Sequence, residues 1–470
     1  MIRGGVLVCL CLALGCRSMS PGGCSGGPLQ IGAAEVDITP PVGFRMAGYF
    51  DERISTGIHD PLHAKAIVLQ QGHTEIALVF CDLIGLSLHV TTRARALAAR
   101  QTGIPVTNIV ISATHTHTGP LFDDVRLDYL HQAAMAREGV DPHETMDYPA
   151  FLTAQLVEVI VAAQTARHPG RLEAGVTQQP GMTFNRRYWM KNGKVVTNPG
   201  QLNPNTVRPA GPSDPDVDIL LARDTANGPP FAGVTLFAMH SDTTGGTKFS
   251  ADYEYSVERT LQEAFGTNFI SAFGLGACGD LNHINVNKKE PTGGFEVAAR
   301  LGRTLGQTVL DAVPHLAEVA RPELAARSMT LRAPLQDVSP EQLAEARALT
   351  NRLGDAKVNF LKRVDAVRTL DLAQRGSSWP MEVQVIRLDN ETALVCLPGE
   401  IFTGLGLAIK HASPFPRTMV LTLANDRPSY VPTRQAFAEG SYEVSNSRVK
   451  PGVGETLVST ALRELNDLRH

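Results

Sequence analysis

Short apolar runs that stop at a residue able to do chemistry recur along this chain, and they constrain its fold more than any other feature. Ile76–Cys81 ends at Asp82, Ile109–Thr114 at His115-Thr116-His117, and Val234–Met239 at His240. Phe269–Phe273 leads through a Gly-rich turn to Asp280, Ala393–Leu397 ends at Pro398-Gly399-Glu400, and Met419–Ala424 at Asn425-Asp426, with Tyr430 close behind. Runs this short and β-branched read as buried strands. Helical patterns lie between several of them: Tyr148–Arg167, Asp252–Phe265 (stopped by Gly266), Gly294–Val313 and Glu455–Leu468. The mixture predicts an α/β fold, a mixed β-sheet core with flanking helices. In open α/β sheets ligands bind beyond the carboxyl ends of the strands, so these polar run-ends predict one shared rim. A single polar ending means only that a strand is reaching water; two His endings and a Gly-Glu ending in one chain carry the weight.

No tandem repeat is visible in the sequence. Ser339-Pro340-Glu341-Gln342 is a helix start with a capping box, and the pattern beyond it, with a break, runs to about Gln374. Its length and charge predict a helical arm near 339–374 at the periphery. Tyr188–Pro215 is rich in Gly, Pro and Asn and predicts an extended surface loop beside a cleft.

The N-terminus predicts export. Arg3 precedes the apolar run Val6–Leu14, which is too short to span a bilayer and ends at Gly15-Cys16. Ala13-Leu14-Gly15-Cys16 also resembles a bacterial lipoprotein signal, in which Cys16 would be acylated and tie the protein to a membrane. Residues 1–16 are thus expected to be a signal peptide, 17–28 a Gly/Ser/Pro tether, and 29–470 a single catalytic domain. Either mode of cleavage puts the mature chain outside the cytoplasm, as a periplasmic, membrane-anchored or secreted protein. Cys81, Cys278 and Cys396 each sit in an apolar run with no CxxC spacing, so a disulfide framework and a thiolate zinc site are not indicated. With 43 Lys+Arg against 47 Asp+Glu there is no basic excess, which argues against nucleic acid as a partner. The sequence makes no statement about oligomeric state.

Two His and one carboxylate around an open position form a familiar catalytic zinc shell, in which the metal lowers the pKa of its water and polarises a carbonyl. His115 and His117 are two apart, which on a strand sends both side chains to one face. No HExxH is present, so ligands would have to come from distant segments. No GxSxG elbow is present either, and Gly274 to Gly279 leads to Asp280 rather than opening a helix, which argues against a dinucleotide site.

Seven dispersed segments resemble, in order, the N-terminal catalytic domain of the neutral (alkaline, non-lysosomal) ceramidase family. They are Gly32–Pro41, Ser112–Pro120, Phe237–His240, Ser250–Tyr253, Gly279–Asn282, Pro398–Glu400, and Tyr430–Thr433 followed by Tyr442-Glu443. The resemblance implies that His115, His240, Glu400 and Tyr430 are ligands of a Zn2+ cofactor. It also implies that His117 meets the substrate carbonyl or its oxyanion, that Tyr442 is a second site tyrosine, and that Asp280 belongs to the catalytic group. There are two departures. The family carries a serine four residues before the Gly-Asp aspartate, where this chain has Gly276. The chain also stops after the helix Glu455–Leu468, where the family continues into an immunoglobulin-like domain. The expected function is therefore a zinc-dependent hydrolase cleaving an amide or ester of a small-molecule or lipid substrate, with doubtful activity on ceramide and attack by zinc-bound hydroxide. The alternative is a non-catalytic exported protein that keeps the metal and binds a lipid or glycan.

Overall fold

The computed structural model describes Met1 and residues 27–224 and 228–469. The predicted signal and Cys16 lie outside the described residues.

The Val-, Ile- and Leu-rich runs build three sheets that are wound alike. In the first, β1 (Gln30–Asp37), β2 (His63–Gln71) and β3 (Thr74–Cys81) form an antiparallel meander, and β4 (Ile109–Ala113) returns parallel to β3 after helix α1 (Leu88–Thr102). The second has β5 (Arg171–Gln178), β6 (Asp216–Arg223) and β7 (Pro230–Phe237) as the meander, then helix α2 (Tyr253–Phe265) and the parallel strand β8 (Ile270–Leu275). The third follows the same path through β9 (Ala325–Pro334), β10 (Ser378–Arg387), β11 (Thr392–Cys396), helix α3 (Thr403–Ala412) and β12 (Arg417–Leu421). A long helix closes each module: Tyr148–Thr165, Phe295–Ala312 and Val453–Arg469.

The topology is therefore repeated three times although the sequence shows no repeat. The segments between the first two strands, 38–62, 179–215 and 335–377, differ in length and content, so no fixed period survives. Sequence patterning also misses α1. Its buried face is Val90, Thr91, Ala94, Arg95 and Ala98, which lacks a stripe of large apolar residues, and its ends are set by a Ser87 N-cap and a left-handed Gly103.

The sheets pack on a common core. A side chain on Gly274 in β8 would collide with Leu236 and Leu421 and touch Phe80, one residue from each sheet. Only a residue without a Cβ leaves room for these three side chains to meet over the strand.

The carboxyl ends of the strands are stitched together. Asn425, held at φ 62°, donates its N–H to the Ile111 carbonyl (2.7 Å) and accepts the Ile111 N–H on Oδ1 (3.0 Å). Its Nδ2 donates to Gln384 (2.9 Å) in β10. Thr422 N–H reaches the Leu275 carbonyl (2.8 Å), and Gly276 N–H the Phe237 carbonyl (2.9 Å). These bonds join the exits of β4, β8, β7 and β12.

Tyr188–Pro215, expected as a loop, contains a three-stranded antiparallel sheet: Arg187–Met190 flanked by Val195–Thr197 and Thr206–Pro209. Its strands are too short to show alternation, and the Gly and Asn residues mark the turns between them. The 339–374 segment forms the helices Pro340–Ala348 and Phe360–Ala373, and the second buries Val364, Val367 and Leu370. Among the described residues no helix is long and apolar enough to cross a membrane.

Asn425→Gly tolerates the positive φ but removes the side-chain bonds to Ile111 and Gln384. It should lower unfolding stability by about 2–4 kcal/mol, the cost of stranding buried polar groups. A reduced denaturation midpoint at unchanged slope would show this.

Candidate functional site

His115, His240 and Glu400 leave three different strand exits and converge. His115 Nε2 lies 3.0 Å from His240 Nε2 and 3.3 Å from Glu400 Oε2, and the third side of the triangle is 3.6 Å. All three side chains are buried or nearly so. His115 Nδ1 donates to the Ile84 carbonyl at 2.6 Å, which turns the lone pair of Nε2 inward. His240 Nδ1 faces the Cys278 thiol at 4.0 Å. Glu400 Oε2 is buried with no hydrogen-bond donor among the described residues. Burial would raise the Glu400 carboxyl, but the His115 imidazole and Arg186 outweigh it and hold the group below its usual pKa. Burial keeps His240 neutral. Two imidazole nitrogens and a carboxylate oxygen thus crowd one point. The triangle encloses a point about 1.9 Å from each corner, close to the roughly 2.0–2.1 Å that zinc takes from imidazole and carboxylate. The donor set fits a divalent cation.

The route by which these residues arrive differs from the expected one. The β4 strand ends at Ala113, and His115 adopts a left-handed backbone (φ 72°), so His115 and His117 do not share a strand face. Instead the His115 N–H is held by the Leu83 carbonyl and the His117 N–H by the Ser241 carbonyl. Parallel pairing with β3 stops at Cys81–Ala113, and the chain turns across the rim.

His117 comes within 4.8 Å of both other histidines. Among the described residues both its ring nitrogens are buried without a hydrogen-bond partner, and Nδ1 stands 3.6 Å from Asp242. Desolvation, reinforced by His115, pushes its pKa well down, so the ring is neutral. A Cβ on Gly48 would strike the His117 backbone, so this glycine admits the close approach that cages the ring.

Tyr430 pairs with Glu400 in a short parallel bridge, and its phenol accepts from Arg186 Nη2 at 3.0 Å. Burial raises its pKa well above the ordinary value. Tyr442 packs edge-on against it, ring centroids 5.6 Å apart, and is pushed up to about 12 by burial. Arg186 was not singled out by the sequence reading. It is buried, paired with Glu443 at 2.8 Å, and bonded to the Gly279 carbonyl at 3.0 Å. The one signal for it was a basic pair, Arg186-Arg187, beside the segment expected to line the cleft.

These side chains line the inner end of a cleft of about 410 Å³ that contains His115, His117, Glu400, Tyr430 and Tyr442. Asp280 does not reach it. Its carboxylate accepts from Thr403 N–H (2.8 Å), Thr403 Oγ1 (2.9 Å) and Asn185 Nδ2 (2.7 Å). It ties β8 to α3 behind the site. Gly276 is also outside the cleft, in a separate crevice with Asp214, Asp218 and Lys410, where a Cβ would lie 3.0 Å from Ala238. The Cys278 thiol is buried and held protonated by desolvation.

The family model for neutral/alkaline non-lysosomal ceramidase, N-terminal, matches residues 29–289. The chain is 24% identical to the neutral ceramidase of Pseudomonas aeruginosa, across 95% of this chain and 72% of that protein. It is 25% identical to neutral ceramidase A of Dictyostelium discoideum, across 56% of this chain and 36% of that one. Its fold superposes on the crystal structure of the Pseudomonas aeruginosa neutral ceramidase with a TM-score of 0.71 at 20% identity, covering 94% of this chain and 74% of the other. A family match over more than half the length, a curated relative and a shared fold agree: this chain belongs to the neutral/alkaline non-lysosomal ceramidase family of hydrolases.

Proposed function

We propose that this chain is an exported, zinc-dependent hydrolase of an amide or ester bond, with His115, His240, Glu400 and Tyr430 as the zinc ligands. The observation that carries the reading is the convergence of His115 Nε2, His240 Nε2 and the donor-less Glu400 Oε2 within 3.0–3.6 Å. Export rests on Arg3 and the run Val6–Leu14, with Cys16 as the candidate lipid anchor.

Zinc, when bound, would supply Lewis-acid polarisation and an acidified water. The protein's own groups do the rest. Ile84 fixes the His115 ring through Nδ1, and the positive charge of Arg186 beside Tyr430 favours the ionised phenol that a ligand tyrosine needs. His117, neutral and without a protein partner, has one ring N–H to give to a carbonyl oxygen as it gains charge. Tyr442, protonated at neutral pH, is a second donor in the same cleft. Gly276 supplies no hydroxyl and Cys278 no thiolate, so the nucleophile is water. The relatives are named for ceramide cleavage. Here the outer cleft wall carries four arginines and four aspartates, a poor match for two alkyl chains, so ceramide is expected to be a weak substrate. Gly276 also suits the competing reading, a binding protein without turnover. The caged His117, with both ring nitrogens unpaired among the described residues, supports the hydrolase reading as a donor poised for a carbonyl oxygen.

The purified protein should hold about one zinc per chain, and His115→Ala, His240→Ala and Glu400→Ala should each lose most of it by elemental analysis. Unchanged zinc in all three would refute the ligand set. His117→Ala should keep its zinc and lose on the order of 100- to 1000-fold in kcat, the cost of one oxyanion donor. Zinc loss equal to that of His115→Ala would make His117 a ligand instead. On an activated ester the wild type should show no pre-steady-state burst, whereas a burst abolished by Cys278→Ala would replace water with a thiol nucleophile.

A further inference from the structure

The outer cleft is lined by Arg126, Arg375, Arg427 and Arg448, and three of these are already matched by carboxylates. Arg126 grips Asp124 through Nε (2.8 Å) and Nη2 (3.0 Å). Arg375 and Arg448 share Asp371, at 3.0 and 3.1 Å. Arg427 differs. Among the described residues it makes no ion pair. Its Nη2 is anchored on the carbonyls of Phe122 and Asp123, its stem lies on Gly85, and its guanidinium sits 5.0 Å over the Phe122 ring. Among the described residues Nε and Nη1 make no hydrogen bond, and the residue lines the cleft. Asp123, Asp124 and Asp426 act on it only through space, and burial lowers its pKa against them.

The position is close to the proposed metal. Gly85, which carries the Arg427 stem, follows Ile84, whose carbonyl fixes His115. Arg427 also precedes Tyr430 by three residues on the loop leaving β12. A guanidinium with its stem and one nitrogen pinned, and two N–H groups left free, is a preorganised fork for a planar anion.

We infer that Arg427 reads an anionic group on the substrate a few atoms from the scissile carbonyl, so that the preferred substrate is an acylated amine or alcohol bearing a carboxylate or a phosphate. This rests on the hydrolase reading above and narrows its substrate class. A neutral lipid amide would leave the Arg427 fork without a partner, and leaving a polar site group unpaired is how such sites reject the analogue lacking the charge.

The test uses the zinc-loaded full chain and measures binding by calorimetry, independently of turnover. N-dodecanoylglycine, its neutral twin N-dodecanoylglycinamide, and N-dodecanoyl-aminomethylphosphonate are compared. The wild type should bind one or both anions about 10- to 100-fold more tightly than the amide, the range for a charge-assisted pair. Whichever anion wins separates a carboxylate from a phosphate-type group. Arg427→Met should collapse the ratio to near one, and Arg427→Lys should restore part of it. Equal affinity of the wild type for all three, or a preference that survives in Arg427→Met, overturns the inference. Because affinity is read apart from turnover, a preference without cleavage would count against the hydrolase reading alone, and cleavage without preference against this inference alone.

Discussion

The site depends on the stitching of strand exits around Asn425. Each sheet by itself delivers one or two polar residues to its carboxyl edge, which is no more than water exposure requires. What makes a site is that β4, β7, β11 and β12 end at the same place, held by the paired bonds between Asn425 and Ile111, by the crossing from Thr422 to Leu275, by Gly276 N–H on the Phe237 carbonyl and by Leu397 N–H on the Leu421 carbonyl. Gly274 and Gly279 permit the approach: an added Cβ at the first strikes the facing sheets, and at the second the backbone of Glu400. Three copies of one winding, each too irregular to recur in sequence, meet where their strands stop.

That geometry determines the electrostatics. Burial strips water from His115, His117, His240 and Glu400 and keeps His117 and His240 neutral, while Glu400 stays ionised beside Arg186. Arg186 is in turn balanced by the fully buried Glu443. The buried Glu400 Oε2, without a donor among the described residues, is costly to hold there without a cation, so the proposed zinc would stabilise the folded protein as well as serve its chemistry.

Much of this was legible in the sequence, for reasons that can be stated. His115, His240 and Glu400 each follow a run of Val, Ile, Leu or Ala long enough to be a buried strand, and in an α/β fold such ends gather at one rim. The strands themselves fall close to the predicted runs. The failures share a cause. His115 leaves the strand with a left-handed backbone, which no local pattern announces. The partners of the Asp280 carboxylate, Thr403 and Asn185, are distant in sequence and could not be read from the Gly-rich turn beside it. Arg186 and Arg427 are ordinary surface arginines by type, and only their tertiary partners, or the lack of them, single them out. The triplicated winding is hidden because unlike insertions separate the first two strands of each module.

The central claim is that two histidines and one glutamate from three strand exits, and not the three-histidine cluster they overlap, form a zinc site. X-ray absorption at the zinc edge of the metal-loaded protein tests this most directly, because it counts imidazoles around the metal. The account predicts two imidazoles with oxygen ligands at roughly 2.0–2.1 Å. A shell with three imidazoles would place His117 on the metal and contradict it.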